Sequence, residues 1–421
     1  SILVDDTSRS ADQLVQLLLG NSCTTVSNIS ISSSQSTAFF NNNGGLFPIT
    51  EGVIIRNGIA KYTEGQYTGN NLSSQINTNT DPTLQNISNS SGQGTPITDV
   101  AFLEFDFIPL STNFSFDFLF ASNEFGEFQC GFSDVFAFLL TDLATNTTTN
   151  LAIVPGTNEP ISVKNIRDNQ YNSSCTSVNP NLFSTYNPTD PSASSINMRG
   201  FTQIFNAAAV VIPNRSYRIR IVIGDANDSN YDSAVFLSSG SFTTTIDLGP
   251  DQTICEGNTY EIKTGLTDPK YIHTWKKNNQ ILVGETQESL VVNGPGNYQV
   301  SIEQVGTNCI IEDEVIFQDL QINTPTDLRN CESGAALYMY NLAVNNSTSL
   351  GIDASKYEVF YYNSLSDANS NLNPIASPQN YSTTSEETIY IRIRNKASNE
   401  FCNSVLSFKL VLDTPEIPKK P

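Results

Sequence analysis

What this chain lacks narrows its chemistry before any motif is read. It holds one histidine, His273, and one tryptophan, Trp275, in 421 residues. A single imidazole leaves no room for a multi-histidine zinc site, an HExxH pair or a haem ligand set. A Ser/His/Asp triad would have to recruit His273, which sits in the strand-like string Tyr271-Ile-His-Thr-Trp275. A strand histidine beside a core tryptophan is the expected reading there. No CxxC pair occurs, which removes zinc ribbons and thioredoxin-like motifs. No run of 18 apolar residues is present, so no helix is expected to span a membrane. Basic charge is scarce, with 21 Lys and Arg against 42 Asp and Glu, a formal charge of −21. The first 246 residues carry 20 acidic and 9 basic side chains, so the acidity is spread along the chain and is not a tail. Such a surface repels phosphate backbones, which argues against a nucleic-acid partner and makes divalent cations natural counterions.

What is abundant is Asn, Ser and Thr, interleaved with β-branched and aromatic residues. Extracellular β-proteins have this make-up, with hydroxyl and amide side chains facing water from strands and turns. Seven widely spaced cysteines in such a chain point to disulfides and an oxidising compartment. The expected bridges are Cys130–Cys175, Cys255–Cys309 and Cys331–Cys402. The odd count leaves Cys23 over, although other pairings among Cys23, Cys130 and Cys175 stay open. The start, Ser1-Ile-Leu-Val-Asp-Asp, reads as a processed N-terminus.

Periodicity predicts a mainly β fold. One helix is expected near the start: Ser10-Ala-Asp-Gln13 fits a capping box, Leu14, Val15, Leu17, Leu18 and Leu19 give an apolar face, and Gly20 fits the stop. Strands are predicted at residues 25–31, 52–56, 101–108, 113–121, 134–141, 151–154, 207–212, 217–223, 234–237 and 240–246. Residues 62–98 and 168–200, rich in Asn, Ser, Gly, Thr and Pro, read as long loops. A β-sandwich with one short helix is therefore expected over 1–246. Two immunoglobulin-like β-sandwiches should follow, at 247–320 and 321–414, with a Pro-rich linker at 415–421. The first of these rests on the order Cys255, Trp275, Gly296-Asn-Tyr298, Cys309. The second rests on the strands 357–362, 389–394 and 405–412.

Two acidic, aromatic-rich strings carry the candidate chemistry. One runs from Phe118 to Phe138 and the other from Ile223 to Phe236. Each places carboxylates in a turn between two apolar runs: Glu124, Glu127 and Asp134 in the first, Asp225, Asp228 and Asp232 in the second. If the flanking strands are neighbours, six carboxylates meet at one end of the sandwich. Like charges at about 4 Å cost several kcal/mol at modest dielectric, so a cation is expected between them. Calcium, which takes six to eight oxygens from loops, fits best. The bland alternative is six solvated turn residues. The catalytic alternative is glycoside hydrolysis by Glu124 or Glu127 with Asp225. The lack of a tryptophan cluster to stack on sugar rings weighs against it.

The strings Ser122-Asn-Glu-Phe-Gly-Glu-Phe128, Ser133-Asp-Val-Phe-Ala-Phe-Leu139 and Asp225–Phe236 resemble the choice-of-anchor L domain. Ala152-Ile-Val-Pro-Gly-Thr157 also looks like that family. Asn123 stands where the family commonly has an acid, and Ser133 replaces an Asn, which puts ligand roles at both positions in doubt. The later units resemble repeats of large surface adhesins exported by the type IX route of gliding Gram-negative bacteria. The resemblance implies a non-enzymatic, extracellular, cell-surface adhesin or display module. It also implies a sorting region, absent from this chain, that engages the secretion machinery. The partner would be a surface polysaccharide or a protein. Self-assembly is open too, with Ser1–Asp5 a candidate donor strand. A secreted carbohydrate-binding protein or glycoside hydrolase is the alternative.

Overall fold

The computed structural model describes all residues except 21, 79, 93–95, 243–245 and 417–421. The chain divides into two compact units, Ser1–Asp247 and Leu248–Pro421. The expected strand at 240–246 and the expected linker at 415–421 fall partly outside the described residues.

The first unit is two sheets packed face to face. One runs in the order Leu3–Asp5, Thr37–Asn41, Glu51–Arg56, Ser233–Ser238, Asn113–Ser122, Gly200–Thr202, Phe183–Tyr186, with Phe205–Val210 also paired to Asn113–Ser122. The other runs Thr25–Ile31, Ile97–Ile108, Tyr217–Ala226, Val135–Asp142, Thr147–Asn150. The period-two pattern sorts the faces. Phe114, Phe116, Phe118 and Phe120 are buried in the core, while Ser115 and Asp117 turn outward. The opposing sheet meets them with Phe136 and Phe138, and Phe118 lies 5.6 Å from Phe136. Burial of each such ring contributes about 1.5–3 kcal/mol. The helix forms at Ala11–Leu19 with a complete Ser10/Gln13 capping box, and it buries Leu14, Val15, Leu18 and Leu19.

Several expectations change. The segment 151–154 is not a strand; the pairing segment is Thr147–Asn150, and Ile153 makes only an isolated bridge to Pro160. The two polar stretches are not bare loops. The first contains the helix Pro82–Ser90, capped by Asp81. The second contains or abuts the strands Phe183–Tyr186 and Gly200–Thr202. Ser1–Asp5 is no free donor strand, because Leu3–Asp5 pairs with Thr37–Asn41 and Ile2 and Val4 are buried.

The second unit holds two small sandwiches. One has a five-stranded sheet over a two-stranded one, with Trp275 buried and its Nε1 donating to Gln287 O at 2.9 Å. The other has a four-stranded sheet over a two-stranded one. The bridges are Cys130–Cys175, as expected, and Cys255–Cys402, which was not. The reason is strand direction. Gln252–Ile254 runs parallel to Ile310–Asp319, with Ile254 opposite Asp319. Cys255 therefore lies at one end of that ten-residue strand and Cys309 just before the other, about 30 Å apart. A disulfide needs Cα atoms within about 7 Å. In the same way Leu328–Cys331 runs parallel to Leu406–Asp413, placing Cys331 opposite Asp413, while Cys402 precedes the far end. Cys331 is instead a free, exposed thiol, and Cys23 is disulfide-bonded. The Cys255–Cys402 link joins the two small sandwiches. Beside it, Thr259 donates through N and Oγ1 to Glu400, and Asn403 N donates to Glu256 O.

Candidate functional site

Both acidic turns cross from one sheet to the other at the same end of the first unit. The first leaves Asn113–Ser122 and enters Val135–Asp142; the second leaves Tyr217–Ala226 and enters Ser233–Ser238. Register fixes the coincidence, since Ser122 pairs with Ser233 and Val135 pairs with Gly224. Glu124, Asp134, Asp225 and Asp232 are brought together there, each no more than 2% exposed.

The hydrogen bonds tie this cluster to the Arg56-Asn57-Gly58 corner. Asn57 Nδ2 donates to Asp134 Oδ2 at 2.9 Å and to Asp225 Oδ1 at 2.8 Å, while its Oδ1 accepts from Ser233 N. Asp134 N donates to Glu124 Oε2 at 2.7 Å. Arg56, fully buried, donates through Nε to Asp232 Oδ2 at 2.9 Å and through its other nitrogens to Thr63 Oγ1 and Asn71 O. Gly58 is required because any Cβ at that position would collide with the Asp232 carboxylate and Ser74 Oγ. Asp232 also accepts from Ser74 N and Ser74 Oγ. Its lone pairs are spent on Arg56 and on fastening the 62–78 segment.

Asp99 joins the cluster from the strand Ile97–Ile108. The register with Tyr217–Ala226 shifts between Ile223 and Asp225, and Asp225 pairs with Thr98. Asp99 and Val100 together oppose Gly224 in this bulge, and Asp99 has φ +49°. Its Oδ1 accepts from Ile76 N and Asn77 N, and its charge acts on Asp225, whose strand partner is the adjacent Thr98.

Burial drives the electrostatics. It lifts Glu124 far above the ordinary carboxylate range, with the Asp134 charge adding to the effect. It pushes Asp134 up to about 7. Asp225 rises through burial and the charges of Asp134, Asp232 and Asp99. Asp232 also rises, because burial outweighs the Arg56 charge. Each shift says that a bare negative charge is costly in this place.

Two expected ligands lie elsewhere. Glu127 is on the surface, 63% exposed, paired with Arg199 at 2.9 Å. Asp228 closes a turn by accepting from Asn230 N. The two departures from the family pattern have structural explanations. Asn123 uses both ends of its amide, donating to Leu72 O and accepting from Arg199 N. Ser133 is buried and its hydroxyl turns to Asp134 O. Sequence reasoning missed Asp99, Asn57 and Arg56. The available signal was a charged residue closing the apolar run Gly52–Ile55, which a buried pairing explains. Among the described residues, no three acidic, His or Cys side chains stand as they are in a group that could hold a metal ion.

Residues 3–243 match the choice-of-anchor L domain, more than half of the chain. The chain belongs to the choice-of-anchor L domain family. In this choice-of-anchor L protein, residues 327–416 also match the Flavobacterium inter-domain disulphide bond domain. Cys402 lies inside that match and its partner Cys255 outside it. No curated protein matches in sequence. Among solved structures, the immunoglobulin domains 1–5 of sidekick-1 share 13% identity over 40% of this chain and 36% of that one, at a TM-score of 0.17. Fibronectin(III)-like modules of CbhA from Clostridium thermocellum share 9% over 42% and 97%, at 0.16. The biofilm-associated protein BSP domain shares 7% over 76% and 64%, at 0.14. These overlaps are too slight to carry an argument. The choice-of-anchor L domain, the disulfides and the small sandwiches make this a surface-associated, multidomain protein.

Proposed function

We propose that the choice-of-anchor L protein is a non-enzymatic bacterial cell-surface adhesin or display module. Its first sandwich is the binding head, braced by calcium at the carboxylate cluster, and the two small sandwiches serve as spacers. Export by the type IX route, through a region outside this chain, belongs to the same reading, as does a filament role. The single observation that carries it is the sealing of the acids. Glu124, Asp134, Asp225 and Asp232 lie beneath the turns, where a glycosidic bond cannot reach them. A hydrolase needs its two carboxyls open to substrate. The exposed side of the first turn is better suited to contact. Phe132 is solvent-exposed, Phe128 stacks on Tyr231 at 4.1 Å, and the Arg199 guanidinium lies 5.0 Å from the Phe128 ring. Aromatic faces beside a cation suit a polysaccharide or a protein loop.

The test is a glycan array and a surface-protein binding screen run beside a panel of glycosidase substrates. Binding that drops at least tenfold in Phe132→Ala, with an unchanged melting temperature, is the expected outcome. Substrate turnover that Glu124→Gln abolishes would overturn the adhesin reading in favour of the hydrolase.

A further inference from the structure

We infer that Glu124, Asp134, Asp225 and Asp99 form a binding site for one calcium ion, with Asp99 supplied from outside both acidic turns. The inference rests on the calcium brace proposed above and is independent of adhesion. It also redraws the ligand set: Glu127 and Asp228 leave it, Asp232 is committed to Arg56, and Asp99 enters.

The argument begins with charge. The four carboxyls are buried, and among the described residues none of them forms an ion pair; Arg56, hydrogen-bonded into the cluster, is engaged by Asp232, and Lys164 acts on Glu124 only through its charge. Four acids cannot stay ionised in a dry site without compensation. The second observation is an atom. Asp225 is 0% exposed, and its Oδ2 has no hydrogen-bond partner. The neighbouring acid is Asp99, adjacent to the Thr98 that pairs with Asp225 and itself an acceptor. Buried carboxyl groups on neighbouring residues need something positive beside them, either a proton or a metal ion. The third observation is convergence. Asp134 and Asp225 both accept from the single Asn57 amide nitrogen, and Glu124 accepts from the backbone of Asp134, so three carboxyls are tethered around one point.

The donor set is all oxygen, which selects a hard cation. Magnesium holds on to several waters, and a sealed site has no room for them. Calcium sheds water more readily and accepts irregular sets of six to eight oxygens. The side chains do not yet stand as a ready metal group. Binding therefore requires the carboxyls to be drawn closer together. The ion would join both sheets through residues from three separate chain segments.

The experiment uses the full chain, stripped with chelator and dialysed. Calcium chloride and magnesium chloride are titrated in separately at pH 7.5 by calorimetry, with melting curves recorded in parallel. One calcium per chain and a calcium-dependent rise in melting temperature are expected, with magnesium at least tenfold weaker. Asp225→Asn and Asp99→Asn should each lose tenfold or more in calcium affinity. Their melting temperature in chelator should not fall below that of the parent, since a neutral amide replaces a buried acid. Glu127→Gln and Asp228→Asn should bind as the parent does. Should Asp225→Asn fail to fold, Glu124→Gln gives the same readout. No heat and no shift with calcium would overturn the site and leave protons as the neutralising species. Undiminished binding in both Asp99→Asn and Asp225→Asn, or its loss in Glu127→Gln, would overturn the ligand set. A protein that binds no calcium yet still holds its glycan or protein ligand would refute this site while leaving the adhesin reading intact.

Discussion

Asp99 and His273 show how a single side chain is governed by the place its backbone gives it. Asp99 lies between the polar stretch 62–98 and the strand expected at 101–108, so no local pattern assigned it a place. The bulge gives it a positive φ and turns it into the cluster, where it also secures Ile76 and Asn77. His273 lies in a strand, as its neighbours suggest, and is buried, with Nε2 sharing a hydrogen bond with Thr264 Oγ1 at 2.8 Å. Burial lowers its proton affinity below that of a free imidazole. The sign follows from linkage. The unfolded chain binds the proton more readily, so the second unit loses stability as pH falls through the ordinary imidazole range, near 6.5, and regains it above. As the chain has one histidine, its ring resonance is unambiguous by NMR. We expect a midpoint below 6.5, and a denaturation midpoint that falls on going from pH 7.5 to 5.5 less steeply in His273→Asn than in the parent. A ring that titrates above 6.5 would reverse the sign.

At the scale of elements, local signals succeed where one segment settles the matter. The capping box of the first helix was legible because its donors and acceptors lie within four residues. Replacement of Ser10 by Ala should cost about 1 kcal/mol, read as a lowered chemical-denaturation midpoint for the first unit. An unchanged midpoint would mean that packing of Leu14, Val15, Leu18 and Leu19 alone sets the helix. The polar segment 62–78 shows the opposite case. Its composition suggested a loose loop, yet Arg56 holds Asn71 O, Asp232 holds Ser74, Asn123 holds Leu72 O and Asp99 holds Ile76 and Asn77. Every one of those anchors lies on a strand or turn elsewhere in the sequence, so nothing within the segment announces them.

For the whole molecule, strand direction decides the cysteine chemistry. The immunoglobulin-like spacing of Cys255, Trp275 and Cys309 suggested a bridge within one sandwich. Parallel pairing separates the two cysteines by the length of a strand, and Cys255 joins Cys402 across 147 residues of chain. In the chain-entropy model closure of so long a loop stabilises by about 5 kcal/mol. The leftover thiol moves to Cys331. Under non-reducing, denaturing conditions a maleimide should add once per chain, and Cys331→Ser should remove that adduct. Two or more adducts, or labelling that survives in Cys331→Ser, would contradict the pairing.

The amino-acid sequence by itself determined the β class, the helix, the facing rows of phenylalanine and the acidic turns that bear Glu124, Asp134, Asp225 and Asp232. Period-two alternation and short-range caps are written in neighbouring residues, because they depend on backbone geometry over a few positions. Only the tertiary structure decided that Glu127 pairs with Arg199 at the surface and that Asp228 closes a turn, that Asp99 and Asn57 belong to the cluster, and which cysteines meet. Those outcomes depend on register, a single-residue bulge and strand direction, which are set by packing between segments as much as 176 residues apart.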